Sequence, residues 1–296
     1  MMEKRLLIVG AGVIGSIYAV KFSEAGYNVS IFARSKRLLE LKEKGLLYKK
    51  GNKILKANVH IISELLKEDK YDFVFVAVRF EQIIPALYDI KENVSDSFVT
   101  MVNTAKGYEA WEGIIGTEKL ITAFPGAGGG IENGVLHYQL TPFIVQPTTF
   151  GELNGRTTKR IKELACIFSA SKISYAICNN MDAWQKSHLA MVIPMANAIY
   201  LDGGDAYSTS KNNEAMTKMC LWLKENFRAL RKMKILITPF KLNLFLICPT
   251  WLLKYSLKLL FRTKFAATVI SEHANKAKQE MLLLDSELKK VTNITR

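Results

Sequence analysis

Leu6-Leu7-Ile8-Val9-Gly10-Ala11-Gly12-Val13-Ile14-Gly15 decides how the rest of the chain folds. A short apolar run without a charge predicts a buried parallel strand. It breaks into Gly-x-Gly-x-x-Gly, and Ser16 to Ala25 then carry a helical pattern that stops at Gly26. Gly10 suits the tight turn, and Gly12 has no Cβ to hold a pyrophosphate away from the backbone. Gly15 lets the helix lie close on the strand. The amides that open the helix, those of Val13, Ile14 and Gly15, are aimed at such a phosphate. A glycine-rich turn of another α/β protein would share the three glycines. Strand, loop and helix in this order favour a dinucleotide.

The second strand narrows the cofactor. Asn28 to Ala33 ends where an NAD site usually carries an acid for the ribose 2′-hydroxyl, and no acid is there. Arg34-Ser35-Lys36-Arg37 stands in its place. A basic cluster suits a 2′-phosphate through charge-assisted hydrogen bonds, so NADP is expected over NAD.

The remaining strands alternate with helices, which predicts a parallel, doubly wound sheet with right-handed connections. Leu46 to Tyr48 and Ile54 to Ile62 flank a polar turn and suggest an added strand pair, with a short helix over 63–67. Tyr71 to Val78 is the clearest buried strand and runs into Arg79, and Phe98 to Val102 runs into Asn103. Ligands bind outside the carboxyl ends of such strands, where Gly10, Arg34, Arg79 and Asn103 all fall. Pro125 to Gly130 looks like a second phosphate cradle, but no helix follows it, and a close-packed turn is the better reading. From Met181 onward the pattern is helical. A dinucleotide-binding domain is therefore expected over 1–179, followed by an all-α domain over 180–296.

Composition bounds the other functions. The chain of 296 residues has a formal charge of +14, but its lysines are scattered and no basic stripe carries interleaved aromatics. Nucleic-acid binding is not expected, and attraction of an anionic cofactor and substrate accounts for the charge. The four cysteines form no metal-like spacing, and His60, His137, His188 and His273 are dispersed, so no metal site is expected. No signal-peptide pattern opens the sequence, so reduced thiols and the cytoplasm are expected. Ile235 to Phe261 is strongly apolar, but its longest uncharged core, Leu242 to Leu253, is 12 residues and holds a proline. That falls short of the roughly 20 residues needed to span a bilayer. It reads as a helical core or a contact, with a homodimer or a peripheral membrane surface as possible uses.

Asp182 can cap a helix through Trp184, Lys186 and Leu189 to about Leu201. A lysine beside a cofactor cleft can donate a proton to a ketone oxygen and stabilise developing alkoxide charge. Most helix lysines are simply solvated, and spacing alone does not single out Lys186.

Resemblance does. The opening glycine motif, Val76-Ala77-Val78-Arg79, Met101-Val102-Asn103, Phe150-Gly151-Glu152-Leu153-Asn154-Gly155 and Trp184-Gln185-Lys186 occur in that order. Together they resemble the ketopantoate reductase family (2-dehydropantoate 2-reductase) over most of residues 1–201. The tail is similar more loosely, through His273-Ala274 and Glu280-Met281. The resemblance implies reduction of a 2-keto acid with NADPH, with Lys186 as general acid and Asn103 at the cofactor–substrate junction. Arg79 stands where a basic residue helps hold the cofactor phosphate. The family's helical face Lys-x-x-x-Asn-x-x-x-Asn is here Lys186, Ala190 and Pro194, and Thr104 replaces a common glycine. Lys276, Glu280 and Glu287 are the candidates for the later substrate contacts. Ketopantoate is the named candidate substrate. Another lysine-dependent hydroxy-acid or opine-type dehydrogenase is the alternative, as is a non-catalytic dinucleotide-binding protein.

Overall fold

The computed structural model describes residues 4–271, 274–275 and 277–294, without the side chains of 268 and 269; His273 and Lys276 lie outside the described residues. The chain divides into two compact units, 1–102 with 108–181, and 103–107 with 182–296.

The first unit is built on β1 (Arg5–Val9), whose Leu6, Leu7 and Ile8 are fully buried. The strand lies between β2 (Asn28–Phe32) and a later strand, Phe73–Val76, and pairs in parallel with both. A strand flanked on both sides and covered on both faces has no use for polar alternation, which is why it reads as a continuous apolar run. Between them come α1 (Val13–Glu24), α2 (Ser35–Lys44), the hairpin β3 (Leu47–Lys50) and β4 (Lys53–Lys56), and β5 (His60–Ile62). Phe73–Val76 is β6; α3 (Ile83–Ile90), β7 (Phe98–Thr100), α4 (Glu109–Ile115) and β8 (Leu120–Phe124) follow. The unit closes with β9 (Ala127–Glu132), β10 (Val135–Leu140), β11 (Thr148–Glu152), α5 (Lys159–Ala170) and β12 (Tyr175–Ile177).

Eight strands form one sheet in the order β12-β11-β8-β7-β6-β1-β2-β5, parallel except where β11 meets β8. The other four form a second sheet, β4-β3-β10-β9. Helix α1 packs against β1 and β2 on one side and β9 and β10 on the other. A helix covered on two sides is buried almost all round, and Gly15 to Val20 and Phe22 all are. Tyr18, Phe22, Phe75, Phe150 and Phe168 join α1, β6, β11 and α5, with Phe22 and Phe75 ring centroids 4.9 Å apart.

Two local expectations change. Residues 63–67 form no helix. The glycine-rich stretch is a close-packed bend only at Pro125 and Gly126, and from Ala127 it is strand β9, at the edge of the second sheet. A Cβ on Gly129 would lie 2.1 Å from the His137 carbonyl oxygen of β10, so the missing side chain permits the pairing.

The second unit is helical among its described residues: α6 (Met181–Leu201), α7 (Ala206–Lys211), α8 (Asn213–Lys232), α9 (Leu244–Ile247), α10 (Thr250–Phe261) and α11 (Lys278–Thr292). Its core includes Leu189, Ile199, Met219, Leu223, Phe227 and Leu284. No described helix is long and apolar enough to cross a membrane.

Candidate functional site

The loop from β1 to α1 is tightly determined. Gly10 has φ +102°, and a Cβ there would lie 2.6 Å from the Ala77 carbonyl oxygen at the end of β6. A Cβ on Gly15 would lie 1.9 Å from the Gly10 carbonyl oxygen. Neither position accepts a side chain without moving backbone. Gly12 differs: its Cβ direction is open, and it is the N-cap of α1. No side chain caps that helix and no acid stands in its first turn, so Val13, Ile14 and Gly15 open it without an internal anion. An uncapped N-terminus with an unobstructed approach fits a dinucleotide pyrophosphate.

Arg37 braces the loop from α2. Its Nε donates to the Ala11 carbonyl at 3.1 Å, and Nη1 pairs with Glu40 at 2.5 Å. Arg37 thus spends Nε and Nη1 on the loop and on α2, while its buried Nη2 has no partner. Arg34 sits beyond β2, with its guanidinium 4.8 Å from the Phe32 ring centroid and Nη1 2.6 Å from Asp89 Oδ2 on α3. Arg79 lies at the end of β6, exposed and in no ion pair among the described residues.

In the second unit, Lys186 lies in the second turn of α6 and is 9% exposed. Its Nζ donates to both carboxylate oxygens of Asp182, each at 2.5 Å. Asp182 thus lies inside the first turn and holds the lysine one turn on. Two residues beyond Lys186, His188 stacks on Trp184 with ring centroids 5.3 Å apart. Ala190 is fully buried and Pro194 is buried in the same helix.

Asn103 belongs to this unit too. It is buried, and its Oδ1 has no hydrogen-bond partner. An orphaned buried acceptor is costly and points to a missing donor. The loop is shaped by Thr104, whose buried hydroxyl accepts from the Lys106 amide at 3.1 Å. Lys106 Nζ meets Glu287 Oε1 of α11 at 2.8 Å, while Glu287 Oε2 is buried without a partner. Of the acids left open by the sequence, Glu287 is tied to the Asn103 loop.

Asp182 and Asp89 escaped assignment as site residues; Arg37 stood in the basic cluster and Glu287 among the candidates for substrate contacts. Only Asp182 had a local signal, the i, i+4 spacing to Lys186. Among the described residues no group of three or more His, Cys, Asp or Glu could hold a metal ion.

Comparison with known proteins agrees with this framework. The model of the family described as "Ketopantoate reductase PanE/ApbA" matches residues 6–155. An oxidoreductase of Bacillus subtilis (strain 168), YkpB, described as uncharacterized, is 27% identical over 190 residues, covering 62% of this chain and 60% of that protein. A 2-dehydropantoate 2-reductase of Pyrococcus abyssi (strain GE5 / Orsay) is 26% identical over 187 residues, covering 61% and 58%. The chain thus matches about three fifths of the length of these curated relatives. The crystal structure of 2-dehydropantoate 2-reductase from Methylococcus capsulatus shares the fold, with a TM-score of 0.65 at 15% identity over 98% of this chain and 94% of that one. The chain belongs to the ketopantoate reductase family.

Proposed function

We propose that the chain is an NADPH-dependent reductase of a 2-keto acid, with ketopantoate as the candidate substrate and a 2-hydroxy acid as product. The observation that carries this reading is Lys186, a buried lysine clamped by its own helix. Lysine is among the side chains least often buried, and a fixed ammonium suits a proton donor.

The cofactor would be held by Gly10, Gly12 and Gly15 with the amides of Val13 and Ile14 at its pyrophosphate, and by Arg34 and Arg79 at its remaining phosphate. When bound, NADPH supplies the hydride. Lys186 holds the proton at Nζ and delivers it to the carbonyl oxygen of the substrate, while its positive charge stabilises the oxygen as negative charge develops. Asp182 keeps Nζ in place. Asn103 offers its unsatisfied Oδ1 to a donor at the cofactor–substrate junction. The cytoplasm and a role in pantothenate synthesis follow from this reading of the family.

A second reading rests on Ala190 and Pro194. Neither side chain can hydrogen-bond a substrate hydroxyl, so discrimination in favour of a hydroxylated keto acid would be weak. Another hydroxy-acid or opine-type dehydrogenase fits these positions, and so does a protein that only binds the dinucleotide.

Titration with NADPH, followed by ketopantoate with absorbance recorded, separates them. Binding and oxidation support the first reading. Binding with oxidation only by other keto acids supports the second, and binding with no turnover by any of them supports a binder. Lys186→Ala is expected to lower kcat by roughly 10²- to 10⁴-fold, the usual weight of a positioned acid, with NADPH affinity unchanged. Retained turnover in that variant would overturn the role of Lys186.

A further inference from the structure

Between Glu225 and Glu272 the sequence contains nine basic residues and no acidic one. This segment supplies +9 of the formal charge of +14. Lys241 and Lys264 aside, none of these basic side chains takes part in an ion pair among the described residues. Lys254 and Lys258 bond the neutral Thr217 and Asn213, at 3.3 and 2.5 Å.

The same segment exposes apolar side chains in series. Helix α10 turns Leu253, Leu257 and Phe261 inward, and at the same i, i+4 spacing it turns Trp251, Tyr255 and Leu259 outward. Phe240 is 85% exposed, Ile247 72% and Trp251 70%. Single exposed apolar residues are ordinary, but a series of large ones within one short segment that carries lysines and no acid is not. An amphipathic surface with aromatic and aliphatic groups on one face and lysines around it is the physical description of an interfacial membrane anchor. Trp and Tyr are at home where hydrocarbon meets headgroups.

We propose that this face, from Phe240 through α10, docks on an anionic lipid bilayer. Its charge argues against a second copy of the chain, since a symmetric contact through α10 would bring Lys254 and Lys258 of two copies together, and α10 itself carries no acid. It suits anionic headgroups, which attract basic side chains, while Phe240, Ile247 and Trp251 enter the interface. Neither signal alone anchors a protein firmly; together they do. The proposal does not depend on the catalytic reading.

The test is co-sedimentation of the full chain with vesicles of phosphatidylcholine mixed with phosphatidylserine, against phosphatidylcholine alone. Association only with the mixed vesicles, weakened by salt, is expected. Lys258→Ala should weaken it roughly fivefold, the equivalent of about 1 kcal/mol per basic side chain near such a surface. Phe240→Ser with Trp251→Ser should reduce it by more than the single lysine does. Both sets of variants should keep the NADPH affinity and circular dichroism of the unaltered chain. Equal or no association with the two vesicle types would overturn the proposal. So would a stable dimer, by sedimentation equilibrium, that Phe240→Ser and Trp251→Ser convert to monomer.

Discussion

Proline inside a helix has no N–H for the carbonyl four residues before it, and Pro194 withdraws that donor from Ala190. The loss is made good from outside the helix. Asn226 of α8, itself buried, donates through Nδ2 to the Ala190 carbonyl at 3.1 Å. Asn226→Ala is therefore expected to lower stability by about 1–3 kcal/mol, the cost of a buried polar group left unpaired. Placing it on a Pro194→Ala background should reduce that cost, since the helix then satisfies its own carbonyl. Denaturant unfolding of the four proteins of the cycle measures the coupling, and additive effects would refute it. Gly15→Ala carries a different penalty. Its Cβ overlaps the Gly10 carbonyl, so the loop must shift, and NADPH affinity should fall together with stability. The sequence displayed Gly15, Pro194 and Lys186 in full view. It could not display Asn226 as the partner of Ala190, or Glu287 as the partner of Lys106, because those pairings depend on how segments far apart in the chain pack.

Helix α1 is the element on which the first unit closes. Its inner face meets β1 and its other face the second sheet, and its last turn is pinned there by Glu24. Glu24 accepts from Lys50 at 2.7 Å and from Tyr48 at 3.1 Å, both on β3, and from Lys21 at 2.9 Å. Burial alone would raise its pKa, but the two lysines and the phenol outweigh burial and hold it at about 2, below the ordinary 4.5. The folded pKa is the lower one, so this contribution is complete above pH 4.5 and is lost as pH falls toward 2. Lys50→Met should raise the midpoint of acid unfolding, read by circular dichroism across that window. An unmoved midpoint would show that Lys21 and Tyr48 suffice. The order of strand, loop and helix around α1 was legible because periodicity and glycine placement are local signals. The second sheet was not. Gly128-Gly129-Gly130 has no side chains to alternate, so the strand gives no pattern, and its partner β10 is what defines it. A helix over 63–67 was expected from five residues, too few to nucleate without a packed face.

For the molecule as a whole, a ligand that binds only the folded chain must stabilise it. NADPH at about one hundred times its Kd should add roughly 2.7 kcal/mol. The rise in unfolding temperature should be smaller with NADH at equal concentration. Arg34→Ala should erase the difference between the two cofactors while leaving the rise with NADH. Equal rises in the unaltered chain would count against a 2′-phosphate contact at Arg34. The tie between Lys106 and Glu287 bears on a separate matter, how the molecule can be divided. The chain leaves the first unit after Val102, returns at Tyr108 and leaves again after Met181. A cut before Asp182 would release a helical fragment stripped of Asn103 and of the cation that faces Glu287. The helical unit is thus no transferable module: five residues encoded in the middle of the other unit are part of its body, and gene rearrangements that shuffle one without the other would break both.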